Sequence, residues 1–149
     1  MKKKVNVVHF SVLRRGQILA ESSGICLKSN TFIVTTRKGR ALSIPDIGLL
    51  DDLQLGHTEK KANAFALTLN TPCRGFVVQQ GQKRKIEKKD HLKIEFRLQN
   101  NDYASLRFDD LDVLVKVKRR KEHLHKQMHR IAKPRIFSLL ADDSKERTG

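Results

Sequence analysis

The sequence predicts a mainly β protein, an antiparallel sandwich or partly open barrel of about ten short strands, followed by one or two C-terminal helices. Three observations carry this reading. Apolar and polar residues alternate with period two as far as residue 118. Turn-forming clusters (Glu21-Ser22-Ser23-Gly24, Lys38-Gly39, Gln80-Gly81-Gln82 and Asn100-Asn101-Asp102) break the alternation at short intervals. From Arg119 onward the apolar period becomes helical.

Taken in order, residues 5–12 form the first strand. The start MKKKVNVVHF has the basic-then-apolar outline of a signal peptide. Asn6, His9 and Ser11 interrupt the apolar run, however, and Arg14-Arg15 ends it before an h-region is complete. Strands over 17–20, 24–28, 31–36 and 40–44 follow, and the Lys38-Gly39 break suits a hairpin. Residues 45–61, richer in Asp and Leu, predict a loop or short helix. Strands over 64–69, 74–79, 91–98, 103–108 and 113–118 complete the β-domain, with Asn100-Asn101-Asp102 as a further hairpin break. The segments TFIVTTRKGRALSIPDIGLL and LKIEFRLQNNDYASLRFDDLDVLV share one order of strand, polar turn, strand, acidic break and apolar run. Residues 1–118 therefore admit a reading as two similar halves joined by 45–61. Residues 119–141 are expected to be a basic amphipathic helical segment, with Leu124, Met128 and Ile131 on one stripe. Lys133-Pro134 would stop its first helix, because the residue before proline is pushed out of the α region. Residues 142–149 read as a frayed tail.

A chain of 149 residues is long enough for one domain with its own core. Charge is its outlying property: 31 Lys and Arg against 16 Asp and Glu give a formal +15. Self-repulsion of that size calls for an anionic partner, with nucleic acid (DNA or RNA) first, an acidic protein second and an anionic membrane surface third. No apolar run approaches the roughly 18 residues of a membrane span. Cys26 and Cys73 lie in apolar stretches without C-x-x-C spacing, so buried reduced thiols and a cytoplasmic setting are expected.

The helical segment carries the sharpest binding signal. Arg119, Lys126, Arg130 and Lys133 fall within an arc of about 60° opposite the apolar stripe. Between Arg119 and Arg135, with Arg120 included, there are seven Lys or Arg and one acid, Glu122. Ordinary solvated faces mix their signs to gain i,i+4 pairs, and this one does not. Phosphate contact is the expected role. Further basic sets are Lys83, Arg84 and Lys85 in the stretch QKRKIEKK, the hairpin tip Arg37, Lys38 and Arg40, and Arg14 with Arg15 at the end of the first strand. Stacking residues are scarce. Tyr103 is the candidate, Phe96 and Phe108 being expected in the core, and this scarcity points toward duplex or structured RNA or backbone-only contact.

His123, His125 and His129 form H-x-H-x3-H, in which His125 and His129 have a chelating i,i+4 spacing. Neighbouring cations oppose a metal there, and Asp109, Asp110 and Asp112 read as an acidic turn, so neither metal nor cofactor is expected. Walker, GxGxxG, GxSxG and HExxH motifs are absent, which leaves no catalytic assignment and favours a binding protein over an enzyme.

Two local resemblances accompany these motifs. GICLKSNTFIVTTRKGRALSIPDIGLL is similar to the amino-terminal β-domain of the CRISPR adaptation integrase, where a strand, a basic turn and an Ile-Pro element recur. It implies a β-domain without that family's helical catalytic domain, and so no integrase activity. YASLRFDDLD resembles the last strand of PilZ domains, which bind cyclic di-GMP. The arginine pair and D-x-S-x-x-G element of that family do not occur in that form, ESSG at 21–24 having the wrong spacing, and no ligand site carries over. The expected function is thus an accessory or regulatory nucleic-acid-binding protein that contacts the phosphate backbone. The alternative is a small β-domain that senses an anionic nucleotide or docks an acidic protein.

Overall fold

Alternating residues become eleven strands in the structure, a computed structural model that describes residues 4–48 and 51–121. They are β1 (Lys4–Arg14), β2 (Gln17–Ile25), β3 (Thr31–Thr35), β4 (Leu42–Ser43), β5 (Leu53–Glu59), β6 (Ala64–Leu69), β7 (Cys73–Gln79), β8 (Gln82–Lys88), β9 (Ile94–Leu98), β10 (Tyr103–Phe108) and β11 (Leu111–Lys121). A six-stranded sheet runs β2-β1-β11-β10-β7-β8 and a five-stranded sheet runs β4-β3-β5-β6-β9. No helix occurs among the described residues. One compact unit, Val5–Arg119, contains both sheets; of the second, residues 1–4 and 120–149, only residues 4, 120 and 121 are described.

One face of each sheet meets in a shared core of Leu, Ile, Val and Phe. From β1, Val8, Phe10 and Val12 point inward at every second position. Phe10 packs at 4.5 Å between ring centroids on Phe32 of β3, and edge-on at 5.2 Å on Phe65 of β6. Phe96 and Phe108 are buried, as expected. All six residues of β6 are buried, so it lacks an exposed face, with Thr68 its one polar residue.

Turn chemistry sets the registers. The β1–β2 and β7–β8 hairpins close on two residues, Arg15-Gly16 (φ 53° and 79°) and Gln80-Gly81 (φ 51° and 79°). Positive φ at both central positions matches the right-handed strand twist. Gly75 sits within β7 at φ 145°, where a Cβ would collide with the Ser105 carbonyl oxygen of β10. Only glycine allows that close approach.

Several sequence expectations are corrected. The strands expected over 17–20 and 24–28 are one strand, because Glu21, Ser22, Ser23 and Gly24 all stay paired with β1. A bulge between Val12 and Leu13 absorbs the irregularity. Lys38-Gly39 is no hairpin, since β4 returns parallel to β3 with Leu42 opposite Val34. The stretch 45–61 contains β5, paired with both β3 and β6. Gln82–Lys88, read as a turn and its flank, is a full strand. Its polar side chains hid it, because an edge strand buries few of them. Arg119 and Arg120 continue β11 as strand and do not open a helix. The remaining helical segment, with Lys126, Arg130, Lys133 and Arg135, lies outside the described residues. The two echoing segments take different paths: β3 and β4 pair within one sheet, whereas β9 and β10 belong to different sheets.

Candidate nucleic-acid interface

Strand registers divide the basic residues between two ends of the fold. Arg14 and Arg15 stand at the β1–β2 turn, beside the β10–β11 turn, where Asp110 Oδ2 accepts from Arg14 Nε at 2.8 Å. The β7–β8 turn lies at the opposite end of that sheet, since β10 starts opposite Val78 and runs toward Arg74. In the other sheet, Arg37, Lys38 and Arg40 follow the end of β3 that pairs with Leu53, away from the β5–β6 turn. Arg37 Nη2 donates to Asp52 Oδ2 at 2.6 Å. Arg14 and Arg37 are therefore locally neutralised, and neither cluster joins Lys83–Lys85. The hydrogen bond from Arg14 holds the Asp110 carboxyl below the usual carboxylate range, and Thr35, with Arg37, does the same for Asp52.

The β7–β8 end differs. Lys83 and Arg84 have no ion pair among the described residues, and Lys85 reaches only Glu87 at 4.0 Å. Register places Lys83 opposite Val78 and Tyr103, and Lys85 opposite Phe76 and Ser105. Phe76 and Tyr103 thus share the outer face of the six-stranded sheet, edge to face at 6.3 Å. Lys83 Nζ lies 4.4 Å from the Phe76 centroid, a cation–π contact. Tyr103 is 41% exposed, and Lys116 of β11 stands opposite it in register. Arg84 alternates to the other side of β8 and covers the Phe96 ring at 5.7 Å. The sequence names Lys83, Arg84, Lys85 and Tyr103 as candidates and does not single out Phe76. In Gly-Phe-Val-Val three apolar residues run together, which hides the face each one takes.

Beside this face a polar cleft of about 290 Å³ is lined by Gln79, Gln80, Gln82, Lys83, Arg84, Arg97, Gln99 and Asp102. Its wall is fixed by Asp102, 3% exposed, which accepts the Gln80 N–H (2.9 Å) and the Gln99 N–H (2.8 Å) on separate oxygens. Gln79 Nε2 donates to the Arg97 carbonyl at 2.9 Å, linking β7 to β9. Arg97 Nε donates to Glu59 Oε1 at 2.9 Å. A second hollow of about 370 Å³ shares Gln80, Gln99 and Asp102 and adds Asn6, Ala62, Asn63, Asn100 and Arg119. There Asn6 donates its backbone N–H to Asn63 Oδ1 (3.0 Å) and its amide to the Asn63 carbonyl (2.7 Å). Asn6 Oδ1 is buried without a hydrogen-bond partner among the described residues. Arg119, expected on a helix face, lines this hollow from β11.

One cluster among the described residues has metal-ligating chemistry: His57, Glu59 and Glu95, with ligand atoms within 4.8 Å of one another. Arg97 already supplies a cation to Glu59. Cys26 and Cys73 are free and buried, and burial pushes both thiols up to about 11, far from a reactive thiolate. No helix among the described residues is long and apolar enough to cross a membrane. No protein-family model, curated protein or solved structure matches the chain.

Proposed function

We propose that the protein binds nucleic acid, preferring single strands, along the β8 edge and the adjoining outer face of β7 and β10. The observation that carries this reading is the placement of Lys83, whose ammonium covers Phe76 beside the exposed ring of Tyr103. Lys83 and Lys85, on the face of Tyr103, would neutralise backbone phosphates, with Arg84 on the other side of β8, while the exposed Tyr103 ring offers a π-face to an unstacked base. An exposed aromatic ring, Tyr103, beside cations favours a single strand over the duplex that composition alone suggests. The reading is a binding function and needs no catalytic residue.

Anisotropy titrations of labelled single-stranded and duplex DNA and RNA across a salt series test it. Single strands should bind more tightly, with log affinity falling by about 0.7 per neutralised phosphate for each decade of salt. Absence of retention of any oligonucleotide in dilute buffer would overturn it. An acidic protein surface is the second reading, favoured by the same unpaired cations, and it predicts binding that is indifferent to Tyr103.

A further inference from the structure

We infer that the cleft between β8 and β9 is a nucleotide-sized subsite, which takes one nucleoside monophosphate unit of a bound strand. The inference rests on the proposed strand binding and adds a defined place for a single unit. Lys83 and Arg84, without an ion pair among the described residues, border the cleft with Arg97, which is paired with Glu59. Both oxygens of Asp102, the one carboxylate among the described lining residues, are engaged by backbone N–H groups. An incoming phosphate therefore meets the cations of Lys83 and Arg84, with the Asp102 carboxylate turned toward the two backbone N–H groups that it accepts. The side chains of Gln80, Gln82 and Gln99 carry no hydrogen bond among the described residues, so three amides, each with a donor and an acceptor, remain for the edge of a base or a sugar. Paired donor and acceptor groups are the chemistry by which Asn and Gln read base edges.

Size and access agree with this occupant. The volume of about 290 Å³ lies at the small end of ligand sites and suits one nucleotide, not a folded segment. Lys83 belongs to both places: it covers Phe76 on the outer face and it borders the cleft. A strand stacked on Tyr103 can pass its phosphate at Lys83 and turn the next base over the Gln80-Gly81 hairpin. In the adjoining hollow Asn6 Oδ1 is a buried acceptor without a partner among the described residues.

The test uses the full chain, adenosine monophosphate, inorganic phosphate and a labelled single-stranded oligonucleotide, read by NMR of the glutamine side-chain amides and by anisotropy. Adenosine monophosphate should shift the amide signals of Gln82 and Gln99, and Arg84→Ala and Gln82→Ala should each weaken its binding at least fivefold. Tyr103→Ala should weaken the oligonucleotide more than the mononucleotide. If inorganic phosphate reproduces every shift, the cleft is an anion site and the inference fails. Should the oligonucleotide bind in a Tyr103-dependent way while adenosine monophosphate causes no shift, the inference fails and the strand-binding reading survives. If the mononucleotide binds and no oligonucleotide does, the cleft holds a free nucleotide only, and the strand reading falls together with the inference that rests on it. Retained thermal unfolding of each variant separates lost contacts from lost fold.

Discussion

Asp102 Oδ1 accepts the backbone N–H of Gln80 at 2.9 Å, so the hairpin that ends β7 is fastened to the corner that opens β10. Its other oxygen holds Gln99 at the end of β9. One side chain thereby orders three strand ends that come from both sheets, and the cleft exists because they are held.

Removing that carboxylate should be costly. Asp102→Ala leaves two backbone donors short of a partner at a site 3% exposed. A loss of about 2 to 4 kcal/mol in urea unfolding is expected. A change below about 0.5 kcal/mol would mean that water replaces the carboxylate without strain.

Tyr103→Ala should weaken single-strand binding by about 1 to 3 kcal/mol and leave its salt dependence nearly intact, because the ring meets bases and not phosphates. Lys83→Ala combined with Lys85→Ala should do the reverse in form, flattening the salt slope by about 1.4 through two lost phosphate contacts. Anisotropy titrations at several salt concentrations separate the two effects.

Glu21 gives a pH prediction. Burial raises its pKa above the ordinary glutamate value, although a hydrogen bond from Ser11 works against the shift. The folded state therefore holds the proton more firmly than the unfolded chain, and the charged form opposes folding. That penalty is absent below the unfolded-state pKa and complete once pH has risen past the folded-state one. Glu21→Gln should raise the urea midpoint at pH 7 relative to the parent, and the advantage should shrink toward pH 4. An equal gain at both pH values would assign the effect to packing and not to ionisation.

Cys26 and Cys73, with thiols near 11, should resist a thiol-labelling reagent at pH 8 in the native protein and both react in denaturant. Rapid native labelling of Cys73 would show that the β7 end opens locally.

The β class and most strand positions are legible because period-two burial follows from the pleat. Strands β6 and β10 fall where alternation and apolar content place them. β8 is not legible, since Gln82, Lys83, Arg84 and Lys85 are all exposed and only Ile86 is buried. β5 was obscured by Gly56 and by the acidic residues before it. Charge drew attention to Lys83, Arg84 and Lys85, but the pairing of Arg14 with Asp110 and of Arg37 with Asp52 joins residues far apart in sequence. The cleft was hidden for the same reason: Gln82, Arg97 and Gln99 come from β8 and from β9 with its following loop, and the order of residues does not announce that these sit side by side.

The cationic run of β8 also governs how the molecule meets copies of itself. Among the described residues β8 is the last strand of its sheet, with one row of backbone donors and acceptors facing outward. Antiparallel addition of a second β8 there would bring Lys83, Arg84 and Lys85 against their own counterparts, and like charges directly opposite are destabilising. The border is thereby protected against strand-swapped aggregates while it stays bare, and a chain that docks there by extending the sheet has to bring acidic residues of its own.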